Sequence, residues 1–227
     1  MILVIVLIFL IIIFLCVYGV VSVSHSFYLK SLCRNHNVTD KIALTFDDGV
    51  DADITPRVLD VLERHKAKAT FFIIGEKAKL YPEIVAEIVK RGHSIGNHSY
   101  FHRGTFPLQT SKSIKDELVK CTEVLEKITK QKITLFRPPF GVTNPMIGKA
   151  VSGLKLTSIG WSIRSFDTMG HPLEKVAERV IKQIVAGKVI LLHDNRTGAD
   201  ILVDKILIYA KKQRLHSVTV DELFNLE

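Results

Sequence analysis

The decisive stretch is Lys41-Ile42-Ala43-Leu44-Thr45-Phe46-Asp47-Asp48-Gly49, a strand-like run that ends in two adjacent carboxylates and a glycine. Working outward, further strand-like runs stand at Ala69–Ile74, His93–Gly96, Ile133–Phe136, Lys155–Gly160, Lys188–Leu192 and Ser217–Val220. Between them lie segments of helical periodicity with start signals: Thr55-Pro56, Pro82, Asn144-Pro145 and His171-Pro172 place a cap or first-turn proline ahead of the apolar repeats. Ile114, Leu118, Cys121, Leu125 and Ile128 mark one more helix, and residues 201–210 another. Strand and helix alternate six or seven times, which implies mostly parallel strands with crossover helices, as a closed barrel or a doubly wound sheet. With no internal repeat and no linker, residues 38–227 read as one domain.

The leading residues differ in kind. Met1 to His25 contains no Lys, Arg, Asp or Glu, so the whole net charge of +8 belongs to the rest of the chain. A helix across the ~30 Å hydrocarbon core needs about 20 apolar residues, and residues 1–23 read as a transmembrane anchor or uncleaved signal. Residues 24–37 form a juxtamembrane segment. The first positive charges after the run favour a cytoplasmic domain, a signal that is weak for large following domains. With 24% charged and 47% hydrophobic residues, a wholly disordered chain is excluded. Cys16 lacks the small residues of a lipoprotein cleavage box, and Cys33 and Cys121 are left open between a pair and two free thiols.

In either parallel architecture, chemistry gathers at the carboxyl ends of the strands. The polar residues placed there are Asp47-Asp48-Gly49, Gly75-Glu76, Asn97-His98, Arg137, the stretch from Trp161 to Asp167, and His193-Asp194. Five of these six ends carry groups capable of acid, base or metal work. Adjacent carboxylates repel unless a cation is near, and one can bind a metal while the other stays free as a base; Asp-Asp-Gly is also a common turn. His98 and His102 stand four apart, hence on one face if helical. Two His with one carboxylate leave metal positions open for water and substrate. In Arg137-Pro138-Pro139-Phe140-Gly141 the arginine is able to pair with a carboxylate, and the prolines stiffen the path so that backbone N–H groups can face an oxyanion. His193 follows an apolar strand and suits a general acid, with Asp167 to orient it.

At this point TFDDG (45–49), HSYFH (98–102), RPPFG (137–141) and LLHD (191–194), in that order, resemble the polysaccharide deacetylase family, or NodB-homology domain. The resemblance implies an α/β fold, a distorted (β/α) barrel of about seven parallel strands, and metal-dependent removal of acetyl groups from amino sugars. It implies Asp47 as general base, Asp48, His98 and His102 as ligands of a divalent metal (Zn first, with Co, Ni or Mn as alternatives), and Arg137 orienting Asp47. His193 is the implied general acid, Leu191 lines the acetyl pocket, and Pro139, Phe140 and Gly141 belong to substrate binding through the oxyanion hole. One block departs: where the family often has Asp-x-x-Asp-Trp, this chain has Arg164-Ser165-Phe166-Asp167-Thr168. Asp167 is kept to tune His193, and Trp161 is assigned as the aromatic wall.

The expected function is a metal-dependent hydrolase removing N-acetyl groups from a cell-envelope polysaccharide, peptidoglycan or chitin-like. The alternatives are a deacetylase or deformylase of a lipid-linked sugar, an O-acetyl esterase, or a non-catalytic glycan-binding module. Expected partners are an acetylated glycan and, through residues 1–23, a membrane; no nucleic acid is expected, and a monomer is. The substrate class places the catalytic domain outside the cytoplasm.

Overall fold

The computed structural model describes residues 4, 6, 7, 9, 10, 17–20 and 23–226. Most of the expected transmembrane segment lies outside the described residues. Among the described residues, no helix is long and apolar enough to cross a membrane.

Among the described residues, nine parallel-paired strands make one sheet. They are β1 (Ser31–Leu32), β2 (Lys41–Gly49), β3 (Ala69–Ile73), β4 (Ser94–Asn97), β5 (Leu135–Phe136), β6 (Thr157–Ile159), β7 (Ile163–Arg164), β8 (Val189–His193) and β9 (His216–Ser217). Eight form the ladder β1-β6-β5-β4-β3-β2-β8-β7, and β9 joins β2. Crossovers are α1 (Ile54–Arg64), α2 (Gly75–Leu80), α3 (Pro82–Lys90), α4 (Ser111–Thr129), α5 (Pro145–Gly153), α6 (Leu173–Ile181), α7 (Ala199–Lys212) and, after β9, α8 (Val220–Phe224). The fold is a parallel (β/α) half-barrel with eight strands in its ladder, rather than about seven. The two additions, β1 and β7, are two residues each, too short to show a period of two.

Side chains require the sheet to curl. In a flat sheet β2 and β6 would stand about 19 Å apart, four strand spacings. Yet the Arg137 guanidinium donates to Thr45 Oγ1 and Asp47 Oδ1 of β2, at 2.8 Å each, and to the carbonyls of Ile159 at 3.1 Å and Gly160 at 2.8 Å, which end β6. The chain then passes from β6 to β7 through Gly160–Ser162 with no crossover helix. Four residue steps reach at most about 14 Å, so the far ends of the ladder are drawn together and Trp161 stands at the seam.

The main apolar cluster lies between the sheet and helices such as α1 and α7. Val58, Leu59 and Leu62 of α1 and Leu202, Val203 and Ile206 of α7 bury against Leu44, Phe46 and Phe71 of the strands. Two sequence expectations give way here. Thr55 does not cap α1: Asp51 Oδ1 accepts the N–H groups of Asp53 and Ile54, and the Thr55 hydroxyl donates to Asp194. Likewise Ser217–Val220 is a strand only at its start. Thr219 accepts the Glu222 N–H and opens α8, so the Ser/Thr-x-x-Glu capping pattern outweighs the β-branched run.

Ser31–Leu32 adds a strand to the sheet from within the segment read as juxtamembrane. Nearby, the Asn35 N–H donates to Gly187 O at 2.9 Å and the Gly187 N–H to Lys41 O at 2.7 Å. Gly187 has φ +78°, and a Cβ there would fall on the carbonyl of Asn35. We expect Gly187→Ala to cost at least about 2 kcal/mol, from the left-handed backbone and the lost approach together. Urea denaturation checks this, with Gly104→Ala as the control: nothing lies within 4 Å of a Cβ at Gly104, and its change should stay within about 0.5 kcal/mol.

Candidate active site

The site lies at the carboxyl ends of β2, β4, β5 and β8. Asp47 stands directly opposite His193 in the β2–β8 register. Asp47 is almost fully buried, and its Oδ1 accepts Arg137 Nη1. Its other oxygen, Oδ2, faces His98 Nε2 at 3.8 Å.

The next residue turns the other way. Asp48 has φ +65°, so the left-handed residue of this turn is Asp48 and not the glycine. Glycine follows for another reason: a Cβ at Gly49 would strike the carboxylate of Asp194. The Asp48 carbonyl accepts Lys77 Nζ at 2.7 Å and Asn195 Nδ2 at 3.4 Å, which fixes where its carboxylate lies. Asp48 Oδ1 is 3.5 Å from His98 Nε2 and 3.4 Å from His102 Nε2.

The two histidines are not on a helix. Residues 98–102 form a loop, with Ser99 at φ +64° and His102 at φ +51°. Asn97 Oδ1 accepts the Ser99 N–H at 2.8 Å, and Ser99 Oγ accepts the His102 N–H at 3.0 Å. Glu117, reaching in from α4, accepts the N–H groups of Tyr100 at 3.2 Å and Phe101 at 3.0 Å. Asn97 and Glu117 are therefore positioning residues to which the sequence reading assigned no role. Glu117 had a signal: it falls on the stripe of Ile114, Leu118 and Cys121, where a lone carboxylate needs a polar partner. Gly75 and Glu76 do not bring side-chain chemistry to the site. Their N–H groups donate to the carbonyls of Ser99 and Tyr100 and hold the same loop.

One ligand atom each from Asp48, His98 and His102 lies within 4.8 Å of the others. Two observations test whether this set suits a cation. His98 Nδ1 is 2.9 Å from Arg137 O; a carbonyl only accepts, so Nδ1 carries the proton and Nε2 turns a lone pair toward Asp48. His102 Nε2 is buried and makes no hydrogen bond among the described residues. Burial, and then the neighbouring His98, lower the His102 pKa to about 4, keeping the ring in the neutral form a metal requires. Burial alone would raise Asp48, but the imidazoles of His98, His102 and His193 outweigh it and hold the carboxyl well below the usual range. Two imidazole nitrogens and one carboxylate match a divalent ion with positions left open.

Opposite them, Asp167 binds His193 twice. Its Oδ1 lies 2.7 Å from His193 Nδ1 and its Oδ2 accepts the His193 N–H at 2.9 Å. The carboxylate fixes the proton on Nδ1 and leaves Nε2 toward the site, 4.0 Å from Asp48 Oδ2. Burial works to lower the His193 pKa; the hydrogen bond and charge of Asp167, with Asp47 and Asp48, overcome it, and the net shift is upward.

A recess of about 180 Å³ opens over these groups, lined also by Phe140, Gly141, Trp161 and Leu191. Phe140 (φ +60°) is half exposed and its ring lies 4.5 Å from that of His102, centroid to centroid. Gly141 has φ +69°, and Trp161 packs where its Cβ would be. Pro139 is buried. The recess is lined by Asp47, Asp48, His98, His102, Phe140, Gly141, Trp161, Leu191 and His193, with Arg137 bonded to Asp47 and Asp167 to His193 behind it; Pro139 does not line it. Cys33 and Cys121 are free thiols; Cys121 is buried in the core.

Three donors able to hold a cation, a carboxylate with one unpaired oxygen beside them and an oriented imidazole across a recess are groups suited to hydrolysis. The comparisons name the family. The polysaccharide deacetylase family model matches residues 34–159. Peptidoglycan-N-acetylglucosamine deacetylase of Bacillus cereus is 36% identical over 187 residues, 80% of this chain and 87% of that protein. Peptidoglycan-N-acetylmuramic acid deacetylase PdaC of Bacillus subtilis is 36% identical over 186 residues, but this chain spans only 38% of its length. Among solved structures, the Bc1960 peptidoglycan N-acetylglucosamine deacetylase superposes with a TM-score of 0.82 at 30% identity, covering 87% of this chain and 93% of that one. The chain belongs to the polysaccharide deacetylase family, a class of hydrolases.

Two predictions follow from the geometry. In a Zn²⁺ titration by calorimetry, alanine at Asp48, His98 or His102 should lower affinity by more than the ~10–100-fold typical of losing an outer partner, whereas Glu117→Gln should fall within that range. The second concerns Asp194, which is fully buried, with Oδ2 bound to Thr55 and Oδ1 without a hydrogen bond among the described residues. Burial raises its pKa to about 6 against the partial relief from Thr55. A folded-state pKa above the unfolded one means stability is full at low pH and falls as pH rises through about 6. Relative to Asp194→Asn, the wild-type chain should lose about 3 kcal/mol between pH ~3 and ~8, as read from urea midpoints in chelator.

Proposed function

We propose that this chain is a metal-dependent deacetylase removing N-acetyl groups from amino sugars of a cell-envelope polysaccharide, with peptidoglycan as its first substrate. The observation that carries the reading is the placement of Asp47 Oδ2 and His193 Nε2 around the Asp48–His98–His102 cluster. One is the carboxylate oxygen that Arg137 leaves free, the other an imidazole nitrogen whose ring partner has been fixed. The names of the relatives support the same substrate class.

A divalent ion held by Asp48, His98 and His102, with Zn²⁺ as the first choice, supplies Lewis acidity for the acetamido carbonyl and for water. The remaining work falls to side chains of the chain itself. Asp47 accepts the proton of the attacking water at Oδ2, while Arg137 holds Oδ1 and fixes the direction of the free oxygen. The backbone N–H near Phe140 faces the oxyanion, and Leu191 and Trp161 enclose the acetyl group. His193 Nε2 then protonates the departing amine. Its elevated pKa suits this role, since Asp167 stabilises the charged ring. Residues 1–23 tether the domain to a membrane, with residues 38–227 outside the cytoplasm beside the polymer.

Acetate release from a panel of acetylated glycans, with and without chelator, tests the proposal. We expect chelator to abolish release, and Asp47→Asn or His193→Ala each to lower turnover on the order of 10²-fold or more. Release that is indifferent to chelator, or near-normal turnover in both variants, would overturn it.

A further inference from the structure

The charges around the recess do not balance. Asp47 is paired with Arg137, Asp167 with His193, and Asp48 with the imidazoles that converge on it. Two further guanidiniums, Arg164 at the end of β7 and Arg196 after β8, line the same recess. Both are exposed, and neither has a carboxylate within ion-pair distance among the described residues. Arg164 is held upright by aromatic rings: its Cζ lies 5.0 Å from the Phe166 ring centroid and 5.9 Å from that of Trp161. Phe166 is in turn backed by Arg179, whose Nη1 donates to Ser165 O at 3.1 Å.

The recess, about 180 Å³, equals the liquid volume of roughly six waters. That suits an acetamido group and part of one sugar ring, so the other ring substituents stand at the rim, beside the two arginines. A neutral acetamido sugar offers these cations no counter-charge. An arginine fork matches a carboxylate or phosphate with two parallel hydrogen bonds.

We infer that Arg164 and Arg196 select acetamido sugars whose ring carries an anionic substituent. This rests on the deacetylase reading for the seat of the acetamido group. Two sources present that chemistry: the carboxylate of an ether-linked arm on a polymer sugar, and the diphosphate of a lipid-linked or nucleotide-linked sugar.

The test uses the full chain loaded with Zn²⁺ and three probes: chitotetraose, peptide-free peptidoglycan fragments with free lactyl carboxylates, and a diphosphate-linked N-acetylglucosamine. Binding is measured by calorimetry on the Asp47→Asn form, and kcat/KM for acetate release on the wild type. At least one anionic probe should be preferred over chitotetraose on the order of 10-fold, the better of the two naming the source. Arg164→Gln and Arg196→Gln should each erode the preference roughly 3- to 10-fold and leave chitotetraose within about twofold. Arg164→Lys should retain part of it, and high salt should shrink it. A wild type without charge preference, or a preference that survives both glutamine substitutions, overturns the inference. Binding preference without acetate release from any probe would instead overturn the deacetylase reading and leave the anion selection standing.

Discussion

A guanidinium with no access to water organises this molecule. Arg137 is fully buried, and a buried charge is tolerated only when it is paired and its donors are satisfied. Its partners come from β2 and from the end of β6, segments more than a hundred residues apart in the chain. Meanwhile its own carbonyl orders His98. A single residue thus sets the curl of the sheet, the free face of Asp47 and the tautomer of one of the three convergent donors. Removing it would leave the Asp47 carboxylate buried without its cation, a loss on the scale of several kcal/mol. Lysine is no substitute, since a point charge cannot serve four oxygens spread over a plane.

Around that centre the backbone is held in costly conformations. Asp48, Ser99, His102, Phe140 and Phe166 all have positive φ, five of the eleven non-glycine residues so recorded among the described residues. Each costs about 1–2 kcal/mol relative to an ordinary conformation. Such a cluster persists because its surroundings over-determine it. Glu117, Asn97 and the N–H groups of Gly75 and Glu76 clamp the histidine loop, while Lys77 and Asn195 clamp the Asp48 carbonyl. The donors are therefore set before any ion arrives, so that little reorganisation accompanies binding.

Much of this could be read from residues alone, because strand ends in a parallel sheet collect the chemistry and the loaded ends could be counted. What escaped had specific causes. The strands Ser31–Leu32 and Ile163–Arg164 are too short for any periodicity. The spacing of His98 and His102 fits a helical turn equally well, and only Ser99 and His102 in left-handed conformations bring the rings together without one. Gly49 was read as a turn glycine; its necessity comes from Asp194, 145 positions away, a contact no local pattern encodes. Thr55 was read as a cap for the same reason: its partner is Asp194, distant in sequence.

The position of β2 has a consequence for how the chain is made. Among the described residues it precedes the other long strands in the chain, and its apolar residues Ile42 to Phe46 are fully covered in the finished molecule. One edge finds β3 within about thirty residues, but the other stays unpaired until β8 emerges, some 140 residues later. Such a bare central edge on a nascent chain is a template for wrong pairing. His193 is delivered by that same late strand. The step that protects β2 from aggregation is therefore also the step that completes the hydrolase, and a truncated chain would be both inert and prone to associate.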